Sequence, residues 1–108
     1  MAETYRKKLV QRIIKNLLDI QLLRMVQAQP VWGYRIKKKV EASFHIKLRH
    51  GALYPMLNSL EQKGFLTSRK QTKGGRVRKI YTITKKGDEY LQSYYDTLKE
   101  QIEGEDLK

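Results

Sequence analysis

The chain has 108 residues, 40% of them hydrophobic, which is enough for one domain with one core and too apolar for a disordered tail. It has no cysteine and no apolar run near the ~20 residues of a membrane span, which excludes disulfides, thiolate metal sites and a spanning helix. The net charge of +12 is segregated: residues 31–86 hold fifteen Lys and Arg against two acids, whereas residues 87–108 hold two against seven. We therefore expect a polyanionic partner for the middle of the chain, and a cytoplasmic, nucleoid-associated location.

The first predicted element is helical, because apolar residues recur at three- and four-residue steps from Leu9 to Val26. Asp19 either caps a second helix within this span or faces water inside one long helix. Residues 5–16 form a basic, amphipathic N-terminal extension. It could lie on a membrane surface, but we expect Leu9 and Ile13 to join a dimer interface instead.

A second helix is predicted over Gly33–Ala42, with Ile36 and Val40 facing inward. After it the apolar residues alternate, which predicts a short extended segment. The alternating residues are Phe44, Ile46 and Leu48.

The third helix is predicted in "GALYPMLNSLEQKGFL", which runs from Gly51 to Leu66 and contains a proline. Pro55 is tolerated if the helix begins near Arg49–Gly51, because N–H groups in a first turn have no partner inside the helix. Gly64 is expected to stop it. The predicted inward face consists of Leu53, Met56, Leu57 and Leu60.

The opposite face of this helix is predicted to meet DNA. Asn can bond adenine through two hydrogen bonds, Arg can bond guanine, and Tyr can reach a phosphate or a base methyl group. The alternatives are that the tyrosine packs inside and the asparagine is merely solvated. The predicted contacts are Lys47, Arg49, His50, Tyr54 and Asn58.

A basic β-hairpin follows, with strands at Phe65–Gln71 and Val77–Thr84 around a turn at Thr72–Arg76. Two adjacent glycines supply the positive φ angles of a hairpin turn. They lack the spacing and the Lys-Ser/Thr ending of a nucleotide-binding loop. The alternative to DNA contact is an ordinary charged hairpin. The predicted DNA-binding residues here are Arg69, Lys73, Gly74, Gly75, Arg76 and Arg78.

The last helix is predicted at residues 85–103, with Thr84 as its cap. An apolar seam along it packs either on the chain's own core or on a partner's helix, and we expect a dimerisation helix. The seam consists of Leu91, Tyr94, Tyr95, Leu98 and Ile102.

The predicted fold class is mostly α with a small β-hairpin (α+β). It is a winged helix-turn-helix that occupies residues 1–108 as one domain, with N-terminal and C-terminal dimerisation helices. In such a fold the third helix enters the major groove and the hairpin follows the DNA backbone.

Four segments carry a resemblance to a known family: "LLDIQLLRMV" (17–26), "GYRIKKKV" (33–40), "GALYPMLNSLEQKGFLTSR" (51–69) and "GGRVRKIYTITKKGDEYL" (74–91). With them the sequence resembles the PadR family of transcriptional regulators, which are winged helix proteins similar to the phenolic acid decarboxylase repressor. The resemblance implies a homodimeric DNA-binding repressor in which Tyr54 and Pro55 form the characteristic pair of the recognition helix. The single C-terminal helix resembles the shorter branch of the family, which is associated with small-molecule binding at the dimer interface; whether this chain takes an effector is left open.

The sequence gives little indication of catalysis or metal binding. No Ser/His/Asp or paired-carboxylate arrangement is evident, so we expect no enzyme and no cofactor. His45 and His50 lack further ligands nearby, so we expect no metal site. Trp32 is expected to pack in the core or the dimer, with stacking on an aromatic ligand as the alternative. The rival functions are a chromatin-type protein that binds DNA without sequence preference and a winged helix module that binds another protein.

Overall fold

Five α-helices and three strands make up residues 2–108, the part of the chain that the computed structural model describes. The fold class is confirmed as α+β, a winged-helix architecture. The helices are α1 (Ala2–Asn16), α2 (Leu18–Ala28), α3 (Gly33–Phe44), α4 (His50–Gln62) and α5 (Lys85–Glu103), and a 3₁₀ turn follows at Glu105–Leu107. The strands are β1 (Val31–Trp32), β2 (Leu66–Lys73) and β3 (Arg76–Ile83).

The core lies where α2, α3, α4 and the first half of α5 meet, because each helix presents an aliphatic face to the others. Ile36 and Val40 face inward from α3 as predicted. On α4 the predicted inward face is confirmed, with Met56 at its margin. The side chains that are almost completely buried include Ile20, Leu22, Leu23, Val26, Ile36, Val40, Leu53, Leu57, Leu60 and Leu91.

The N-terminal helical span breaks at Leu17, whose φ of −126° and ψ of 34° leave the helical region. The second helix is confirmed, but Asp19 is its second residue and not its N-cap. Its Oδ1 accepts a hydrogen bond from the Ile20 N–H at 2.9 Å, and its Oδ2 accepts one from the Tyr90 hydroxyl at 3.1 Å. Burial, the charge of Asp19 and this hydrogen bond together raise the pKa of Tyr90. Asp19 therefore links α2 to α5.

The predicted extended segment after α3 was wrong. Phe44 is still helical, and His45 then reverses the chain in the left-handed conformation, with a φ of 56°. The Glu41 carboxylate accepts a hydrogen bond from the Leu48 N–H at 2.7 Å, which closes the loop that leads into α4. Leu48 is buried, so its apolar character reflects packing and not strand geometry.

The start of α4 is confirmed at His50, but the predicted place of Pro55 in the first turn was wrong. Pro55 is the sixth helical residue, so it lacks the N–H that would bond the Gly51 carbonyl. The helix nevertheless continues to Gln62. Gly64, two residues beyond, stops the helix as predicted and has a φ of 81°. Arg49 precedes the helix without a side-chain capping hydrogen bond.

The hairpin is confirmed, and a third strand joins it. The turn is only two residues long: Gly74 and Gly75 have φ angles of 58° and 77°, as a type I′ turn requires, and Lys73 pairs with Arg76. The predicted turn over Thr72–Arg76 was therefore too long. The sheet order is β1-β3-β2, with Trp32 opposite Ile80.

Helix α5 has the predicted bounds and cap. The Thr84 hydroxyl accepts a hydrogen bond from the Gly87 N–H at 3.0 Å and donates one to the Gly64 carbonyl at 2.6 Å. Leu91 is fully buried in the chain's own core, so it is not available as the dimer contact that the sequence predicted. Farther along, Ile102 is 83% exposed. No helix within residues 2–108 is long and apolar enough to cross a membrane.

Candidate nucleic-acid interface

Helix α4, the β2–β3 hairpin, which we call the wing, and the junction of β1 with α3 line one groove of about 420 Å³. From α4 the groove receives Tyr54 and Asn58, and from the wing Arg76 and Arg78. These residues are far apart in the sequence, and the fold brings them together. We call this feature the α4–wing groove; its lining also includes Trp32, Gly33, Tyr34, Val77, Lys79 and Tyr81.

The other residues predicted to meet DNA are exposed but do not line this groove. Arg49 and His50 lie at the start of α4, and the His50 ring stacks on Tyr54 with centroids 5.6 Å apart and nearly parallel planes. The remaining residues lie in the loop before α4 and along the wing; they are Lys47, Arg69, Lys73, Gly74 and Gly75. All of them stay predictions as DNA contacts.

Tyr54 is held from two sides while the residue stays 39% exposed. His50 stacks on one face. Gly33, the first residue of α3, leaves room for the ring edge: a Cβ added at Gly33 would lie 2.9 Å from Tyr54 Cε1. The prediction that Tyr54 lies on the outer face of α4 is confirmed, but its position depends on α3 as well as on α4.

This packing gives a way to move Tyr54 without replacing it. We expect Gly33→Ala to push the ring out of its seat, because a Cβ at 2.9 Å is closer than such atoms normally come. Preferential DNA binding should then fall by about tenfold, the equivalent of about 1.4 kcal/mol. Fluorescence anisotropy with specific and scrambled duplexes measures this. Equal affinity for wild type and Gly33→Ala would contradict the role of the seat.

Arg78 differs from the other wing arginines. Its guanidinium carbon lies 3.9 Å from the centre of the Trp32 ring, in cation–π geometry. Its Nε is buried and has no hydrogen-bond partner within residues 2–108. Trp32 itself is half-buried and its ring lies 5.5 Å from that of Tyr34. Sequence reasoning missed this pair because it depends on β1 pairing with β3.

The root of the wing is tied to α4. Glu61 accepts a hydrogen bond from the Ser68 hydroxyl at 2.8 Å, and its other oxygen lies 3.8 Å from Lys79 Nζ. Close by, burial raises the pKa of the Tyr81 hydroxyl, and the Glu61 carboxylate and Tyr54 raise it further. Tyr81 is therefore a neutral hydroxyl in the groove at physiological pH.

Across residues 2–108, no three His, Asp or Glu side chains come together in a way that could hold a metal ion. His50 stacks on Tyr54, and His45 is exposed at the end of α3.

A family model and several solved structures match this chain. The model of the transcriptional regulator PadR-like family matches residues 22–93. No curated protein matches the chain. A PadR-like transcription factor from Bacteroides fragilis is similar in structure, with a TM-score of 0.78 and 23% identity, covering 92% of this chain and 96% of that one. A PadR family regulator from Eggerthella lenta has a TM-score of 0.76 and 24% identity, covering 95% and 90%.

A further similar structure contains DNA. Bacillus subtilis PadR, in complex with operator DNA, has a TM-score of 0.69 and 25% identity, covering 74% of this chain and 46% of that one. The matched family model spans α3, α4 and the wing, and therefore includes every residue of the α4–wing groove.

Proposed function

The chain belongs to the PadR-like family of transcriptional regulators, and from this premise we propose that it is a homodimeric repressor that binds a specific, pseudo-palindromic duplex site. It acts in the cytoplasm, on the nucleoid, and occludes a promoter. The observation that carries the proposal is the α4–wing groove, which combines base-reading side chains from a helix with cations from a wing. The operator complex of Bacillus subtilis PadR supports it.

The roles divide by chemistry. Asn58 on the exposed face of α4 reads adenine through two hydrogen bonds, and Tyr54 contacts a phosphate or a base methyl group. The cations of the wing neutralise phosphates and set affinity without reading sequence. Arg49 and His50 start α4, where free N–H groups and the helix dipole favour a phosphate.

Dimer formation is supported by two exposed apolar stripes of opposite local charge. Leu9, 55% exposed, and Ile13 lie on basic α1, whereas Tyr95 and Ile102 lie on α5, which is acidic toward its end. Tyr94 and Leu98 lie half-buried beside them. We propose that α1 of one subunit packs against α5 of the other, which buries the stripes and pairs the charges. The two half-sites of the pseudo-palindromic DNA site, one for each subunit, then lie about one helical turn, ~10 bp, apart.

The dimer makes a direct prediction. Leu9→Asp places a charge in the proposed interface, and we expect it to shift the mass measured by analytical ultracentrifugation from dimer toward monomer at micromolar concentration. Val77→Asp is the control, because Val77 is 66% exposed on the wing, away from both stripes. A Leu9→Asp protein that sediments like wild type would count against this interface.

The function itself is tested by selection from a pool of random duplexes, followed by anisotropy titrations with the enriched and a scrambled duplex at several salt concentrations. If the protein is a site-specific regulator, the selection enriches one sequence, and the protein binds that duplex more tightly than the scrambled one. A chromatin-type protein binds both duplexes equally with steep salt dependence. A protein-binding module shows weak affinity for both, and the proposed function is then wrong.

The wing predicts a salt effect. We expect Arg76→Ala to weaken binding to every duplex and to lower the slope of log K against log salt by about one per protomer, as for one lost phosphate contact. Lys108→Ala, in the segment after α5, removes the same charge outside both the α4–wing groove and the proposed dimer stripes, and it should leave the slope unchanged. An unchanged slope for Arg76→Ala would remove Arg76 from the contact set.

A further inference from the structure

Residues 31–86 contain only two acidic side chains, Glu41 and Glu61, among fifteen Lys and Arg. A carboxylate on a surface that meets DNA repels phosphates, so each of the two lowers the general attraction of this region for nucleic acid. Both carboxylates are nevertheless present, one near each end of α4, and both are engaged inside the molecule.

Glu41 acts at the start of α4. It lies in the last part of α3, and its Oε2 accepts the Leu48 N–H at 2.7 Å across the loop that contains His45. This short, charge-assisted hydrogen bond fixes the backbone directly before Arg49 and His50. The direction in which α4 leaves the loop therefore depends on Glu41.

Glu61 acts at the end of α4. Its Oε2 accepts the Ser68 hydroxyl of β2 at 2.8 Å, and its Oε1 lies 3.8 Å from Lys79 Nζ of β3. One carboxylate thus touches both strands of the wing. The width of the α4–wing groove depends on this connection, because the groove walls are α4 and the wing.

We propose that Glu41 and Glu61 are positioning residues for sequence-specific DNA reading: together they fix α4 relative to the loop before it and to the wing, without contacting DNA. The inference rests on the proposed function. It extends the set of residues that determine specificity beyond those in the groove, to two groups whose charge alone would oppose binding.

A pure charge effect and a positioning effect change the affinity for the selected duplex in opposite directions, so one experiment separates them. If the carboxylates act only through charge, removing either one strengthens binding to every duplex. If they position the reading surface, removal weakens binding to the selected sequence, while binding to a scrambled duplex stays equal or becomes stronger. If the substitution only lowers the stability of the fold, the affinities for the selected and for the scrambled duplex both stay unchanged as long as the protein remains folded.

The test measures affinity for the selected and the scrambled duplex with full-length Glu41→Ala and Glu61→Ala, at a temperature where circular dichroism shows each variant folded. We expect the preference for the selected duplex to fall about fivefold to tenfold in each, since only part of the free energy of one charge-assisted hydrogen bond is expressed in the position of α4. Glu89→Ala, at an exposed position in the first half of α5 and away from the proposed dimer stripe, makes the same charge change elsewhere and should keep the full preference.

Conservative variants keep the test decisive if an alanine variant unfolds. In Glu41→Gln and Glu61→Gln the amide oxygen can still accept the hydrogen bond, so part of the preference should return while the charge is gone. Parallel strengthening on both duplexes, or an unchanged preference, would overturn the positioning role alone. A wild-type protein without any preference would overturn the proposed function, and this inference with it.

Discussion

Replacing Gly87 by alanine is expected to destabilise the folded chain by about 3 kcal/mol or more, the upper end of what overpacking costs. Gly87 is buried in the first turn of α5. A Cβ there would overlap the Phe65 carbonyl oxygen and would lie 2.7 Å from Ile83 Cγ1. A backbone carbonyl cannot rotate away as a flexible side chain can, so α5 or the strand entry must shift.

Replacing a glycine inside a helix by alanine usually stabilises the folded protein, whereas a loss of stability is expected here. Glycine inside a helix is less favourable than alanine by about 1 kcal/mol, so an unhindered exchange stabilises. Gly51, in the first turn of α4, has no atom within 4 Å of an added Cβ. Gly51→Ala is therefore the matched control and should be neutral or stabilising.

Urea unfolding followed by circular dichroism measures both variants, at one fixed protein concentration because a dimer's apparent stability depends on it. If Gly87→Ala unfolds at the same urea concentration as wild type, the close approach of α5 to the chain at Phe65 is wrong.

Replacing Asn58 by alanine is expected to remove most of the discrimination between the selected and the scrambled duplex. A side-chain amide that bonds adenine through two hydrogen bonds contributes about 1–3 kcal/mol of discrimination, which is about fivefold to more than a hundredfold. Asn58 is exposed on α4 in the α4–wing groove. Because Asn58 carries no charge, affinity for the scrambled duplex and its salt dependence should both stay close to those of wild type.

The control is Asn16→Ala, the same exchange at an exposed position at the end of α1. Anisotropy titrations with both duplexes compare the two variants. Equal weakening of both duplexes by Asn58→Ala would indicate that it contacts only the backbone, and no change at all would place α4 outside the base-reading surface.

Several features could be predicted from the sequence because short-range chemistry decides them. Gly74 and Gly75 allow the two positive φ angles of a tight turn, and the hairpin follows. Thr84 caps α5 because a hydroxyl at that position can accept the Gly87 N–H. The inward faces of α3 and α4 follow from helical periodicity. These features need only neighbours a few residues away.

The candidate site could be predicted only in part. Tyr54 and Asn58 on the outer face of α4 follow from which residues the core requires on its other face. The seat of Tyr54 against Gly33 and the stack of Arg78 on Trp32 do not follow, because they join residues 20 or more positions apart. A two-residue strand, β1, brings the second pair together and is too short to leave a pattern.

What the sequence by itself determined is the helical N-terminal span, α3, α4, the hairpin and α5, together with the cationic middle of the chain and the outward face of α4, since composition and periodicity act locally. The tertiary structure alone decided how α4 and the wing are placed. The tertiary structure also decided that the N-terminal helical span breaks at Leu17 and that α4 continues past Pro55. It placed the Glu41 and Glu61 carboxylates in hydrogen bonds near the two ends of α4. Each of these depends on packing or hydrogen bonds between elements, whose free energy exceeds the local preferences that a sequence pattern records.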